Sequence, residues 1–150
     1  MPIVGFNFDK TSAERIGRVQ KGMKADYNIT INSIDKEDLN LGKDTKKSGL
    51  KFSFEYNVKY EPQIGEIIIK GHILFLEDEA KIKEILANWK KNKKIEPLLT
   101  TQLINTAIVR STIKALSLSQ DVNLPPHLPI PTIAFKPEQK PSDKSKDYIG

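Results

Sequence analysis

A chain of 150 residues with 38% hydrophobic content is long enough to bury one core and too short to divide into two. It holds no cysteine, which excludes disulfides, thiol nucleophiles and thiolate metal centres. Its 24 Lys and Arg against 19 Asp and Glu leave a formal charge of +5, which permits contact with nucleic acid or ribosomes without demanding it. No run approaches the roughly 20 apolar residues of a membrane-spanning helix. Met1–Phe8 lacks the basic segment and long apolar run of a secretory signal, so a cytoplasmic protein without membrane insertion is expected.

Ile3–Phe8 reads as a short strand with Val4, Phe6 and Phe8 on one side, and Asp9–Lys24 as an irregular connection. In Ala25–Ile34, Tyr27, Ile29 and Ile31 alternate with Asn28, Thr30 and Asn32, the pattern of a half-buried strand. Asp35–Ser48 is charged and predicts a loop. From Leu50 to Tyr60 the alternation is unbroken: Leu50, Phe52, Phe54, Tyr56, Val58 and Tyr60 against Lys51, Ser53, Glu55, Asn57 and Lys59. One face of that strand must be buried and the other wet. Glu61–Gly65 predicts a turn, and Glu66–Leu76 a returning strand with Ile67, Ile69, Ile73 and Phe75 facing the same core.

At Glu77-Asp78-Glu79 the period changes, and acidic residues suit the start of a helix. Ile82, Ile85, Leu86 and Trp89 then recur at helical spacing, with Lys81, Lys83, Lys90 and Lys91 facing water. Asn92–Lys94 ends this helix, and Pro97 opens a second one that runs to about Leu118 with a broad apolar stripe. Asn123–Pro131 is too apolar to float free and is expected to pack as a polyproline-like strap. Lys136–Gly150 has the composition of a disordered tail. The expected architecture is α+β: a four-stranded antiparallel sheet followed by two helices packed on one face, in a single domain over residues 1–135 with a tail over 136–150.

Chemistry-bearing patterns are sparse. His72 and His127 have no second histidine or carboxylate at ligand spacing and are assigned structural or surface roles. Ser111, Ser117 and Ser119 lack a nucleophile elbow. Gly65 and Gly71 fit a turn and a close-packed strand position, not a phosphate loop. The Glu77–Glu79 acids are explained by the helix start. Neither a catalytic residue, a metal ligand nor a cofactor site emerges, so binding without catalysis is expected. Phe52, Phe54, Tyr56 and Tyr60 resemble a stacking platform for single-stranded RNA, but their strict alternation fits a core face better. Lys90, Lys91, Lys93 and Lys94 read as a solvated helix end, with phosphate contact as the alternative.

Taken together, the paired strands Leu50–Tyr60 and Glu66–Leu76, the long helix to Leu118 and the segment Asn123-Leu-Pro-Pro-His-Leu-Pro-Ile-Pro131 resemble the SecB family of export chaperones over about Ala25–Phe135. The opening Gly5-Phe-Asn-Phe8 with Ser12-Ala-Glu-Arg15 is similar to uncharacterised archaeal proteins of SecB-like type. The resemblance implies a homotetramer built as a dimer of dimers, with long helices at an interface and unfolded polypeptide clients held in apolar grooves. Carried onto this chain, the polypeptide-binding residues it implies are Tyr27, Phe52, Phe54, Tyr56, Leu86 and Trp89. Two departures stand out. Members of that family tend to be acidic and carry a zinc-binding tail for the translocase motor, whereas this chain is basic and has no cysteine in its tail, which puts a role in protein transport in doubt. The expected function is therefore that of a holdase for unfolded polypeptides. The alternatives are a ribosome- or RNA-associated protein using its basic surface, or an assembly adaptor whose apolar strap docks on a protein partner.

Overall fold

Four antiparallel strands, β1 (Ile3–Arg15), β2 (Lys24–Glu37), β3 (Lys47–Glu61) and β4 (Gly65–Asp78), precede two helices, α1 (Glu79–Asn92) and α2 (Pro97–Asp121), in a computed structural model that describes residues 3–38, 47–129 and 131. This is the α+β arrangement that the sequence predicts. The expected tail over 136–150 lies outside the described residues, as does residues 39–46 of the predicted loop.

The sheet order is β1-β4-β3-β2. β2, β3 and β4 follow one another as neighbours, and β1 lies beside β4, which is a Greek key traced in reverse. The connection from β1 to β2 therefore joins the two opposite edges of the sheet. It is pinned on the way where the N–H groups of Ile16 and Gly17 both donate to the Ile64 carbonyl, at 2.8 and 3.1 Å.

β1 corrects the sequence reading. It is a strand of 13 residues where only Ile3–Phe8 was predicted, and Asp9–Arg15 continues the pairing with β4. Register shifts between Ile3 and Gly5 and between Phe8 and Lys10 hid it, because each extra residue resets the period-two pattern. The first shift also moves Val4 off the side that Phe6 occupies: Ile3 and Phe6 pack on the core, and Val4 is exposed. A shift between Ile31 and Ser33 does the same in β2. It lets Ile34 lie across from Phe52 on the core face and carries the strand on to Glu37.

The β3–β4 hairpin agrees with its prediction residue by residue. Phe52 pairs with Ile73, Phe54 with Gly71, Tyr56 with Ile69 and Val58 with Ile67, and all of these are buried. Gly71 is required by crowding: a Cβ there would run into the Asn7 carbonyl oxygen and lie 2.8 Å from Phe54 Cζ. The acidic triplet straddles the next junction. Glu77 and Asp78 close β4, Glu79 alone enters the first turn of α1, and Asp78 makes no side-chain capping bond.

Both helices cover the same sheet face. α1 buries Ile82 and Ile85. α2 buries Leu99, Leu103, Ala107, Ser111, Ala115 and Ser119, every fourth residue without exception. A contact line of period four is inclined to the helix axis, so α2 crosses the sheet obliquely, with large side chains at one end of the line and small ones at the other. The core accordingly has two parts. One gathers Phe52, Phe54, Ile73 and Phe75 under Ile82, Ile85, Leu99 and Leu103. The other gathers Tyr56, Val58, Tyr60, Ile67 and Ile69 under Ala115 and Leu124.

Candidate functional site

Among the described residues β2 and β1 are the two edges of the sheet, and an edge strand carries backbone N–H and C=O groups without a neighbour to pair with. Such edges are usually guarded by charge. From Tyr27 to Ile34, β2 reads Tyr-Asn-Ile-Thr-Ile-Asn-Ser-Ile, with no charged residue. Its core-side row Tyr27, Ile29 and Ile31 spans about 13 Å at the rise of a strand. The helices do not close this row off: Ile29 and Ile31 remain half-buried, and Tyr27 is 42% exposed.

At the Ile31 end the row leads into a groove of about 260 Å³, walled by Ile31, Trp89, Ile95 and Ile104, with Thr30, Thr100 and Lys93 at its polar margin. The turn between the helices makes the groove. α1 stops where Lys93 takes a left-handed conformation (φ 54°) and returns its N–H to the Trp89 carbonyl at 2.9 Å. Ile95 is then swung back beside Trp89, and Pro97 starts α2 in its first turn. The Thr100 hydroxyl ties the turn by donating to the carbonyls of Ile95 (3.3 Å) and Glu96 (3.0 Å). Lys93 lays its side chain back over the indole, with Nζ 5.1 Å from the ring centroid.

At the Tyr27 end the row meets the strap after α2. Tyr27 stacks on Tyr56, with centroids 5.5 Å apart, and meets the edge of the His127 ring. The Tyr56 hydroxyl lies 2.7 Å from His127 Nε2 and 3.1 Å from Thr112 Oγ1, while the Tyr60 hydroxyl donates to the Pro125 carbonyl at 2.6 Å. Leu124 and His127 are buried beneath these contacts, so the segment packs on the sheet as the sequence led us to expect. Burial pushes the Tyr56 hydroxyl up, raises Tyr60 to about 12 and holds His127 below the usual histidine range. Among the described residues His127 Nδ1 has no hydrogen-bond partner.

The six residues implied by the resemblance divide into two sets. Phe52, Phe54 and Tyr56 are 1%, 2% and 0% exposed, under the helices and the strap, where a client meets them only if the core opens. Tyr27, Leu86 and Trp89 lie at or near the surface. Tyr27 and Trp89 mark the two ends of the β2 row, and Leu86 packs half-buried beside the first core cluster. Sequence reasoning missed Ile31, Lys93, Ile95 and Ile104 as groove walls. Ile95 falls between the two predicted helices, and nothing in its spacing marks it as facing Trp89.

On the opposite face of the sheet, β1–β4 pairing corrects the reading of His72 as lacking a carboxylate. Asp9, the extra residue at the second β1 shift, places Oδ2 2.8 Å from His72 Nδ1, and the Asn7 amide lies 3.4 Å from Nε2. Among the described residues no group of three or more His, Asp or Glu is arranged to hold a metal ion, and no helix is long and apolar enough to cross a membrane.

No protein-family model matches the chain, and no curated protein matches it in sequence. Its fold is similar to that of the Mycobacterium tuberculosis SecB-like chaperone Rv1957, solved in complex with a ChAD peptide from the Rv1956 HigA1 antitoxin. The TM-score is 0.51 and the identity 12%, over 90% of this chain and 91% of that one. The chain has a SecB-like fold.

Proposed function

We propose that this protein binds extended or non-native polypeptide without chemistry, as a SecB-like holdase. The observation that carries the proposal is the uncharged stretch Tyr27–Ile34 of edge strand β2, whose apolar row Tyr27–Ile29–Ile31 opens into the Trp89 groove. A chain laid along β2 gains main-chain hydrogen bonds that are blind to sequence, and alternate side chains reach the row and the groove. That combination suits a binder of many clients and supplies nothing that a covalent step requires. The peptide-bound state of the mycobacterial neighbour supports the same reading.

The contact residues in this proposal are Tyr27 and Trp89, with Leu86 packed half-buried against the first core cluster. Phe52, Phe54 and Tyr56 act as the floor on which Tyr27 and the helices rest. Leu98, Val109 and Ile113 of α2 are 71%, 58% and 66% exposed, and a second copy of the chain is the proposed cover, in a dimer of dimers.

The test is light scattering from a chemically unfolded client diluted into buffer, with and without this protein, at low and high salt. Suppression at both salts, weakened by Trp89→Ala, is the expected result. No suppression at any ratio removes the holdase function. Binding that vanishes steeply with salt points instead to the ribosome- or RNA-associated alternative, because contacts to phosphates release counterions.

A further inference from the structure

The charge around the groove says which polypeptide segments it accepts. Lys93 is the one charged residue among those that line it; Thr30, Ile31, Trp89, Ile95, Thr100 and Ile104 are all uncharged. Lys90 and Lys91 stand exposed in the last turn of α1, the helix that carries Trp89. Among the described residues none of these three lysines has a carboxylate within ion-pairing distance, and the carboxylates nearby are held elsewhere. Glu96 pairs with Lys81 at 3.9 Å, and Glu84 lines a separate hollow that Lys94 shares. On the strand side, Asp26 and Asp35 bracket the uncharged stretch from outside, and Glu55, the cross-strand partner of Thr30, pairs with Lys70 at 3.9 Å.

The lysines at a helix C-terminus already complement the helix dipole, and that accounts for Lys90 and Lys91 in part. It does not account for Lys93, which lies beyond the helix and spreads its stem on Trp89 with the ammonium at the groove mouth. We propose that the groove selects extended polypeptide segments in which a large apolar side chain is flanked within a few residues by a carboxylate. The apolar group enters between Trp89, Ile95 and Ile104, and the carboxylate meets Lys93 with Lys90 and Lys91 behind it. Segments flanked by lysine are disfavoured at the same place. This selection rests on the polypeptide-binding function proposed above.

The chain has a single tryptophan, so the fluorescence of Trp89 reports on the groove directly. Two synthetic peptides with the same apolar core, one flanked by glutamate and one by lysine, are titrated into the full chain. At low ionic strength the glutamate-flanked peptide binds about two- to fivefold more tightly, the range expected of solvent-exposed charge pairs. The advantage shrinks at high salt as screening shortens the reach of the lysines. Lys93→Gln, which keeps a long stem on the indole, brings the two affinities together, and Lys93→Glu reverses their order while the melting temperature stays near that of the parent. Equal affinities for the two peptides, or preference for the lysine-flanked one, overturn the charge selection and leave peptide binding standing. Failure of both peptides to bind removes the polypeptide function itself. Displacement of the glutamate-flanked peptide by a short single-stranded RNA overturns the selection by assigning the lysines to phosphate.

Discussion

The two ends of the sheet's inner face are built from the same pair of strands yet are closed in different ways. Around Phe52, Phe54, Ile73 and Phe75 the cover is two helices and the contacts are apolar throughout. Around Tyr56, Tyr60, Ile67 and Ile69 the cover is the small-residue end of α2 and the non-helical segment that carries Leu124 and His127. There the tyrosine hydroxyls hold the lid, and two buried polar atoms, Ser111 Oγ and His127 Nδ1, have no partner among the described residues. Apolar burial closes the first end without directional bonds. The second depends on a few hydrogen bonds in a low-dielectric setting, where each unmatched atom is costly. The second end is therefore expected to open more readily, and it adjoins the exposed Tyr27 end of the β2 row.

The largest effect that tests this contrast is at the apolar end. Phe54→Ala should cost about 3–5 kcal/mol in urea unfolding, because the ring fills the space that Gly71 leaves open and no neighbour can collapse into it. At the polar end, Tyr56→Phe keeps the ring but strands His127 Nε2 and the Thr112 hydroxyl, with an expected cost of about 1–3 kcal/mol. If the second end opens on its own, hydrogen exchange in Leu124–His127 should speed up in this variant more than exchange in α1. Equal protection at both ends would dissolve the distinction.

A smaller effect follows from pH. His127 is held below its ordinary pKa of 6.5 by burial, so the unfolded chain takes up a proton before the folded one does. Stability is then full above about 6.5, and it falls as pH drops from there through the lower folded-state value. Tyr60 works in the opposite direction at the alkaline end: the unfolded phenol ionises near 10.0 and the folded one at about 12, so stability declines as pH rises between them. Thermal unfolding from pH 4 to pH 8 should show a milder acid decline in His127→Gln than in the parent. The smallest effect is expected from Lys81→Ala. It breaks an exposed pair with Glu96 and should change stability by less than about 1 kcal/mol.

The β3–β4 hairpin and both helices were legible in the sequence because their periods run uninterrupted. Leu50–Tyr60 alternates through its whole length, and Pro97 marks the start of α2. Most of β1 was not legible, since a strand with two extra residues loses its alternation twice, and Lys10–Arg15 carries too few apolar residues to show it again. The candidate groove was legible only in part: Tyr27 lies exposed on the edge strand, and Trp89 is half-buried in the groove wall. Phe52, Phe54 and Tyr56 belonged to the face that the helices cover, which the alternation itself already pointed to. Ile95 and Lys93 depend on a left-handed turn that no hydrophobic period encodes.

The strand order has a consequence in time. β1 precedes the other strands in the chain, yet among the described residues its partner in the sheet is β4; the contact between Asp9 and His72 bridges 63 residues. Each of the other strand pairings joins consecutive strands and pays a smaller loop-closure cost. The β2–β3–β4 meander can therefore assemble first, with β1 waiting as an unpaired ribbon and docking last. Until it does, β4 is itself an open edge beside Ile67, Ile69 and Ile73. For that interval the protein presents the kind of surface that we propose it shields in others.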